Sequence, residues 1–183
     1  MQSLPIIPIV AVLVAVVAAA IDLKTKKIPN KLTFPAALVG IVLNLVINGW
    51  QAALFAVLGW FVGAVIMVLP DPKKKMGFGD AKLMAAMGAF LQWKGVLIAW
   101  GYFALLYGAV ATVRFLGSVP WNHFGKMVQT ASVGMAPTLE ASAAEKINKT
   151  MNTPIALGPI IAVGTVLAIF LEKATLQFLG FGS

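Results

Sequence analysis

Residues 4–30 read LPIIPIVAVLVAVVAAAIDLKTKKIPN, an apolar run that ends in an aspartate and a cluster of lysines. The run from Leu4 to Ile21 carries no charged side chain, and Lys24, Lys26 and Lys27 follow it. Short loops on the cytoplasmic side of membrane proteins are rich in basic residues, whereas a secretory signal carries its positive charge before the apolar run. We therefore predict a retained transmembrane helix whose N-terminus lies outside the cytoplasm.

The composition of the whole chain is that of a membrane protein. Of its 183 residues, 60% are hydrophobic and 11% are charged, with a mean hydropathy of +0.92. Soluble domains are about 45–50% apolar and about 25% charged. Further apolar runs span roughly residues 32–47, 52–69, 81–91, 95–116 and 154–171. We predict an all-α integral membrane protein of six transmembrane helices with both termini extracytoplasmic. We expect residues 1–183 to form a single domain, with cytoplasmic loops at about 22–31, 70–80 and 117–153.

The charge of the chain follows this predicted topology. The net charge is +8, and all fourteen basic residues except Lys94 and Lys173 fall on the predicted cytoplasmic side. A membrane orientation explains these lysines, so we predict no nucleic-acid partner. The chain has no cysteine and one histidine, which excludes disulfides and cysteine-bound zinc and argues against a histidine-based metal site. We expect no metal and no cofactor, and carboxylates remain the main candidates for chemistry.

The sequence MGFGDAKLMAAMGAF, residues 76–90, places an aspartate before the shortest apolar run. A helix over residues 81–91 covers about 17 Å at a rise of about 1.5 Å per residue, against a hydrocarbon core of about 30 Å. Non-helical backbone at that depth is tolerated only against protein or a water-filled cavity. We therefore predict that Gly77 and Gly79 belong to a loop that lines a cytoplasm-facing pocket. Asp80 could serve as a helix N-cap, but an ionisable group at membrane depth favours a functional role.

Asp22, at the predicted cytoplasmic end of the first helix, is the second candidate. Taken alone, its carboxylate could simply be balanced by the lysines that follow it. Two carboxylates that share a site do not ionise together easily, and this supplies the acid and the base needed to activate a water. We therefore predict that Asp22 and Asp80 act as a pair.

DLKTKKIPN at residues 22–30, followed by GFGD at residues 77–80, resembles the type IV prepilin peptidases, the membrane aspartic proteases with a G-x-G-D signature. The last apolar run also resembles the last helix of that family, so the resemblance covers essentially the whole chain. It implies that Asp22 and Asp80 are catalytic and that Pro29, Asn30 and the two motif glycines support the site. It further implies removal of the basic leader of a prepilin at the cytoplasmic face of the inner membrane, with lipid around the enzyme.

Larger members of that family carry a cysteine-containing zinc domain and also methylate the new N-terminus. This chain is most similar to the short enzymes that serve Flp/Tad-type pili, although archaeal preflagellin peptidases share the layout, so we expect peptidase activity without methylation. Two other classes stay open from the residues alone. An ion- or proton-coupled transporter also uses intramembrane acids and broken helices. In a non-catalytic membrane scaffold, both aspartates would be caps or lipid-facing charges.

Overall fold

A computed structural model describes residues 6–68, 78–118, 145, 148–150, 153 and 155–178, apart from the side chain of Lys173. Within these ranges the chain is mostly helical and contains no strand. Its long helices are α1 (Ile6–Thr25), α2 (Asn30–Asn48), α3 (Trp50–Val68), α4 (Phe78–Ser118) and α5 (Gly158–Phe178). The all-α prediction is confirmed for this part of the chain.

Four of these helices, α1 to α4, are long and apolar enough to cross a membrane. They make the chain a multi-pass membrane protein, while six crossings and the side on which each terminus lies stay predictions. The chain groups into two compact units, Met1–Leu106 with Ala156–Ser183, and Tyr107–Ile155. Both aspartates of the predicted pair belong to the first unit. A single domain over all 183 residues stays a prediction.

Two helix boundaries differ from the sequence prediction. Helix α1 continues to Thr25, so Asp22 lies in a helix and not in a loop. Helix α4 begins at Phe78, so Gly79 and Asp80 are helical and not part of an irregular segment. The first N–H groups of a helix have no acceptor within it, and an acidic side chain there is favoured by the helix dipole, so these residues are tolerated at a helix start. Gly77, with most of the predicted loops 70–80 and 117–153, lies outside the described residues.

Helix α4 breaks at Gln92, whose φ of 61° and ψ of −178° are not helical. The break falls between the apolar runs predicted at residues 81–91 and 95–116. It divides the helix into a first arm (78–91) and a second arm (93–118). Every residue from 83 to 90 in the first arm is buried. A helix that is apolar on all sides is stable only inside a protein or in lipid. The first arm is therefore the central element of the first unit.

Small residues let the neighbouring helices approach this arm closely. Gly59 of α3 faces Gly88 of the first arm, and a Cβ atom built on either glycine would overlap the backbone of the other. Gly40 of α2 lies against Ala89, where an added Cβ would stand 3.0 Å from the carbonyl carbon. Close backbone approach through small residues is the usual way in which helices pack in membranes.

Asn44 of α2 provides hydrogen-bond donors for the carbonyls at the end of the first arm. The last carbonyls before the end of a helix have no N–H partner within that helix. Ala89 and Phe90 stand in the last turn before the break at Gln92. Asn44 Nδ2 lies 3.1 Å from Ala89 O and 3.2 Å from Phe90 O, and Gln92 Nε2 donates back to Asn44 Oδ1 at 3.0 Å. Asn44 is only 1% exposed. One side chain thus supplies the polar partners that a helix end needs inside an apolar bundle.

We predict that Asn44→Leu lowers the free energy of unfolding in detergent micelles by about 1–3 kcal/mol, because buried carbonyls lose their donor. The matched control is Asn48→Leu, one turn later on α2, whose exposed side chain donates to Asn44 Oδ1 at 3.3 Å and not to a backbone carbonyl of the first arm. We expect the control to change stability by less than about 0.5 kcal/mol. Equal losses in the two variants would show that the end of the first arm does not depend on Asn44.

Candidate active site

Asp22 lies on the buried face of α1. The buried residues of this helix are Ala11, Ala15, Ala18 and Asp22. Their spacing of three or four residues places them on one side of the helix. Asp22 itself is 5% exposed. The carboxylate therefore points into the protein and not toward the headgroups, which removes the reading of Asp22 as a simple counter-charge to the lysines that follow it.

The carboxylate of Asp22 caps the last helix. Gly158 N–H donates to Asp22 Oδ2 at 2.9 Å. Gly158 opens α5, and Ile161 N–H bonds Leu157 O at 2.9 Å, so the N–H of Gly158 lies before the first intrahelical donor. The next residue, Pro159, has no N–H. A negative side chain at this position is also favoured by the positive end of the helix dipole.

The contact between Asp22 and α5 requires a glycine at position 158. A Cβ atom built on Gly158 would lie 2.8 Å from Asp22 Cβ and 2.9 Å from Asp22 Oδ2. Both distances are shorter than unstrained non-bonded contacts, which lie near 3.5–4.0 Å for carbon pairs. Any larger residue would force either the carboxylate or the start of α5 to move.

The two motif segments meet at the start of α4. Lys26 N–H bonds Asp22 O at 2.8 Å, and the chain then turns at Lys26, whose φ is 52°. The turn brings buried Ile28 against Gly79, where an added Cβ would stand 3.3 Å from Ile28 Cβ. Lys82 Nζ donates to Asn30 Oδ1 at 2.8 Å. The I-P-N segment and the G-x-G-D segment are therefore in direct contact.

Asp80 stands in the first turn of α4 and is half-buried. Residues 83, 84 and 87 follow at helical spacing on the same face, and all three are fully buried. Asp80 thus begins the inward face of the first arm, as Asp22 ends the inward face of α1. Both aspartates lie on inward helix faces, and the segment that follows Asp22 contacts the segment that contains Asp80. Their catalytic role stays a prediction.

The predicted supporting residues have different positions. Pro29 is the residue before α2, with φ −72° and ψ 139°, and is exposed. Asn30 bonds Lys82, and Gly79 serves a close approach to Ile28 within a helix instead of an unusual backbone conformation. Sequence reasoning missed Gly158, although the Gly-Pro pair at residues 158–159 marks a helix start. In the described part of the chain, no three acidic or histidine side chains form a cluster that could hold a metal ion.

These features define a multi-pass helical membrane protein in which two aspartate-bearing segments meet. The chain belongs to the type IV leader peptidase family, whose family model matches residues 9–117. The matched region contains most of α1, all of α2 and α3, and nearly all of α4. It therefore includes both motif segments.

Curated relatives support the same assignment. The chain is 35% identical over 92 residues to a prepilin leader peptidase/N-methyltransferase of Aeromonas hydrophila, covering 46% of this chain and 31% of the relative. It is 31% identical over 140 residues to the enzyme of that name from Dickeya chrysanthemi, covering 70% of this chain and 45% of the relative. It is 30% identical over 125 residues to the enzyme of that name from Escherichia coli K12, covering 60% of this chain and 56% of the relative. The chain thus spans about a third to a half of the length of these relatives, and no solved structure matches it.

We predict that Gly158→Ala lowers the free energy of unfolding in micelles by about 1–3 kcal/mol, because the added methyl group overpacks the Asp22 contact and disturbs its hydrogen bond. Gly101→Ala is the matched control, since an added Cβ on that helical glycine meets nothing within 4 Å. The control is expected to be neutral or to gain up to about 1 kcal/mol from helix propensity. If Gly158→Ala were as stable as the control, the close approach of α5 to Asp22 would be wrong.

Proposed function

We propose that this protein is an aspartic endopeptidase that removes the basic leader of type IV, Flp-like prepilins at the cytoplasmic face of the inner membrane. The observation that carries the proposal is the contact of Ile28 and Asn30 with the start of α4, because it joins the Asp22 and Asp80 segments in one place. Membership of the leader peptidase family and the names of the curated relatives support the substrate class.

The proposed reaction uses one ionised and one protonated aspartate. The ionised carboxylate of the pair takes a proton from a water while the water oxygen attacks the carbonyl carbon of the scissile peptide bond. The protonated carboxyl group gives its proton to the carbonyl oxygen, which stabilises the tetrahedral intermediate. When the intermediate collapses, the C–N bond breaks and the leaving nitrogen accepts a proton. The products are a leader with a new carboxyl end and a pilin with a new amino end.

Gly158 contributes to this reaction through the geometry of Asp22. Its N–H donates to Oδ2 at 2.9 Å, so the orientation of the carboxylate is set by the backbone of α5. The other oxygen, Oδ1, then remains in a fixed direction for the water. Holding a reacting group in its productive orientation before the substrate arrives lowers the entropic cost of the chemical step.

The proposed substrate fits the position of the two segments. A prepilin changes from a basic leader to an apolar helix at the cleavage site, so its scissile bond lies where a membrane helix reaches the surface. Asp22 stands near the end of an apolar helix and is followed by the exposed lysines 24, 26 and 27. These lysines would repel a basic leader, and in this proposal they contact anionic lipid headgroups.

We predict that Asp22→Asn and Asp80→Asn each lower the rate of leader removal by at least about 10³-fold, because a neutral amide can act neither as the general base nor as the general acid. The measurement is the gel shift of a purified Flp-like prepilin mixed with the full-length protein in lipid nanodiscs. Glu172→Gln is the matched control, since that carboxylate is exposed near the other end of α5. We expect the control to retain the parent rate.

The same experiment separates the three functional classes that the residues alone left open. A transporter or a scaffold would leave the prepilin uncut by the parent protein as well as by the variants. If Asp22→Asn or Asp80→Asn, with unchanged helicity and gel-filtration volume, cleaved at the parent rate, the assignment of the aspartate pair would be wrong. Cleavage by the parent protein and loss in both variants would support the proposal.

A further inference from the structure

A separate cleft of about 290 Å³ lies between α2, α3 and the first arm of α4. Its apolar wall includes Phe34, Trp60, Val68 and Phe78, and its polar lining includes Thr33 and Lys82. All four apolar side chains are exposed, on helices that are long and apolar enough to span a membrane. The cleft therefore opens toward the hydrocarbon of the bilayer.

The cleft and Asp80 occupy different faces of the first arm. Phe78, Lys82 and Ala85 line the cleft and follow one another at spacings of four and three residues, so they share one side of the helix. Asp80 lies two residues from both Phe78 and Lys82, and residues at that spacing do not face the same side. The inward face of Asp80 is thus distinct from the cleft, although only one residue lies between Asp80 and Lys82.

Thr33 brings an unsatisfied polar atom to the cleft. The residue is 2% exposed, and its Oγ1 has no hydrogen-bond partner among the described residues. A buried hydroxyl without a partner costs free energy, so nearly all such groups in proteins are paired. A ligand oxygen in the cleft would provide that partner.

Lys82 brings a positive charge to the same cleft. Its ammonium group bonds Asn30 Oδ1 at 2.8 Å and lies 5.9 Å from the centroid of the Phe34 ring. An ammonium group has three donors, so the bond to Asn30 leaves capacity for an anionic oxygen. A basic leader peptide would be repelled by Lys82, and the net charge of +8 favours anionic partners in general.

We propose that this cleft binds an anionic phospholipid. An acyl chain lies along Phe34, Trp60 and Val68, a phosphate oxygen accepts a hydrogen bond from Lys82 Nζ, and an ester oxygen accepts one from Thr33 Oγ1. The combination of an apolar wall that opens to lipid, a buried unpaired hydroxyl and a lysine fits an amphipathic anion, since each part of such a ligand meets its own partner. Basic side chains near a membrane surface are the usual binding groups for anionic headgroups.

The bound lipid would also contact the junction of the two motif segments. Lys82 joins the first turn of α4 to Asn30 at the start of α2. A phosphate on Lys82 would hold the ammonium group from its other side. The lipid site therefore adds a membrane component to the contact region without using either aspartate, and its existence does not depend on the proposed peptidase function.

The test measures lipid binding to the full-length protein by native mass spectrometry from detergent micelles. The probes are phosphatidylglycerol and phosphatidylcholine with identical acyl chains, with inorganic phosphate as a third arm. We expect phosphatidylglycerol to bind at least tenfold more tightly than phosphatidylcholine, with no comparable binding of inorganic phosphate. Equal affinity for the two lipids, or binding of inorganic phosphate as tight as that of phosphatidylglycerol, would overturn the proposal.

Variants locate the site. Lys82→Gln is expected to reduce the preference for phosphatidylglycerol to less than threefold, whereas Lys94→Gln should keep it. Lys94 is a matched control, because it lies on the same helix, 5.6 Å from the centroid of the Trp93 ring, and does not line the cleft. Ala64→Phe, which fills the cleft from α3, should weaken the binding of both lipids at least tenfold.

Two results would contradict the location of the lipid. One is an unchanged preference in Lys82→Gln, and the other is an equal loss in Lys82→Gln and Lys94→Gln. If Lys82→Gln does not fold, Thr33→Val and Ala64→Phe decide the question, and parent-like affinity in both would overturn the proposal. No cleavage reaction enters this test, so its outcome is independent of the outcome for the aspartate pair.

Discussion

The structure depends on one constraint, which is that backbone polar groups inside an apolar bundle must find hydrogen-bond partners. Two helix ends of the first unit meet this constraint through a side chain from another helix. Asn44 supplies donors to the carbonyls at the end of the first arm of α4, and Asp22 accepts the first N–H of α5. Without these partners, neither helix end could stand where it is buried.

The same constraint explains why an aspartate can stand so deep in the protein. A buried carboxylate is costly unless hydrogen bonds or charges compensate for lost water. The N–H of Gly158 and the positive end of the α5 dipole provide part of this compensation. Because Gly158 has no Cβ, α5 can approach within hydrogen-bond distance. The fold thus keeps Asp22 in a fixed orientation at a helix terminus, which is a useful position for a reacting group.

The helices and their inward faces could largely be predicted from the sequence, because both depend on the hydropathy of neighbouring residues. The hydropathy pattern separates the apolar runs 81–91 and 95–116, and the helix breaks between them, at Gln92. The spacing of Ala11, Ala15, Ala18 and Asp22 also lies in the sequence and would have predicted the inward face of α1. The Asp22 contact with Gly158 could not be predicted in this way, because the two residues are 136 positions apart and the sequence around either one does not indicate the other. The start of α4 was misplaced because glycine and aspartate are tolerated in the first turn of a helix, where an acidic side chain is favoured by the helix dipole.

The structural role of Asp22 does not by itself require an aspartate. An asparagine has nearly the same shape, and its side-chain oxygen could also accept the N–H of Gly158. Asparagine would also avoid the cost of placing an ionisable group at 5% exposure. The Gly158 N–H and the α5 dipole offset only part of that cost, and an ionisable group at membrane depth favours a role that uses its proton. Proton exchange with water is the property that the proposed peptidase reaction requires, so the chemical identity of residue 22 supports the proposal independently of the motif that contains it.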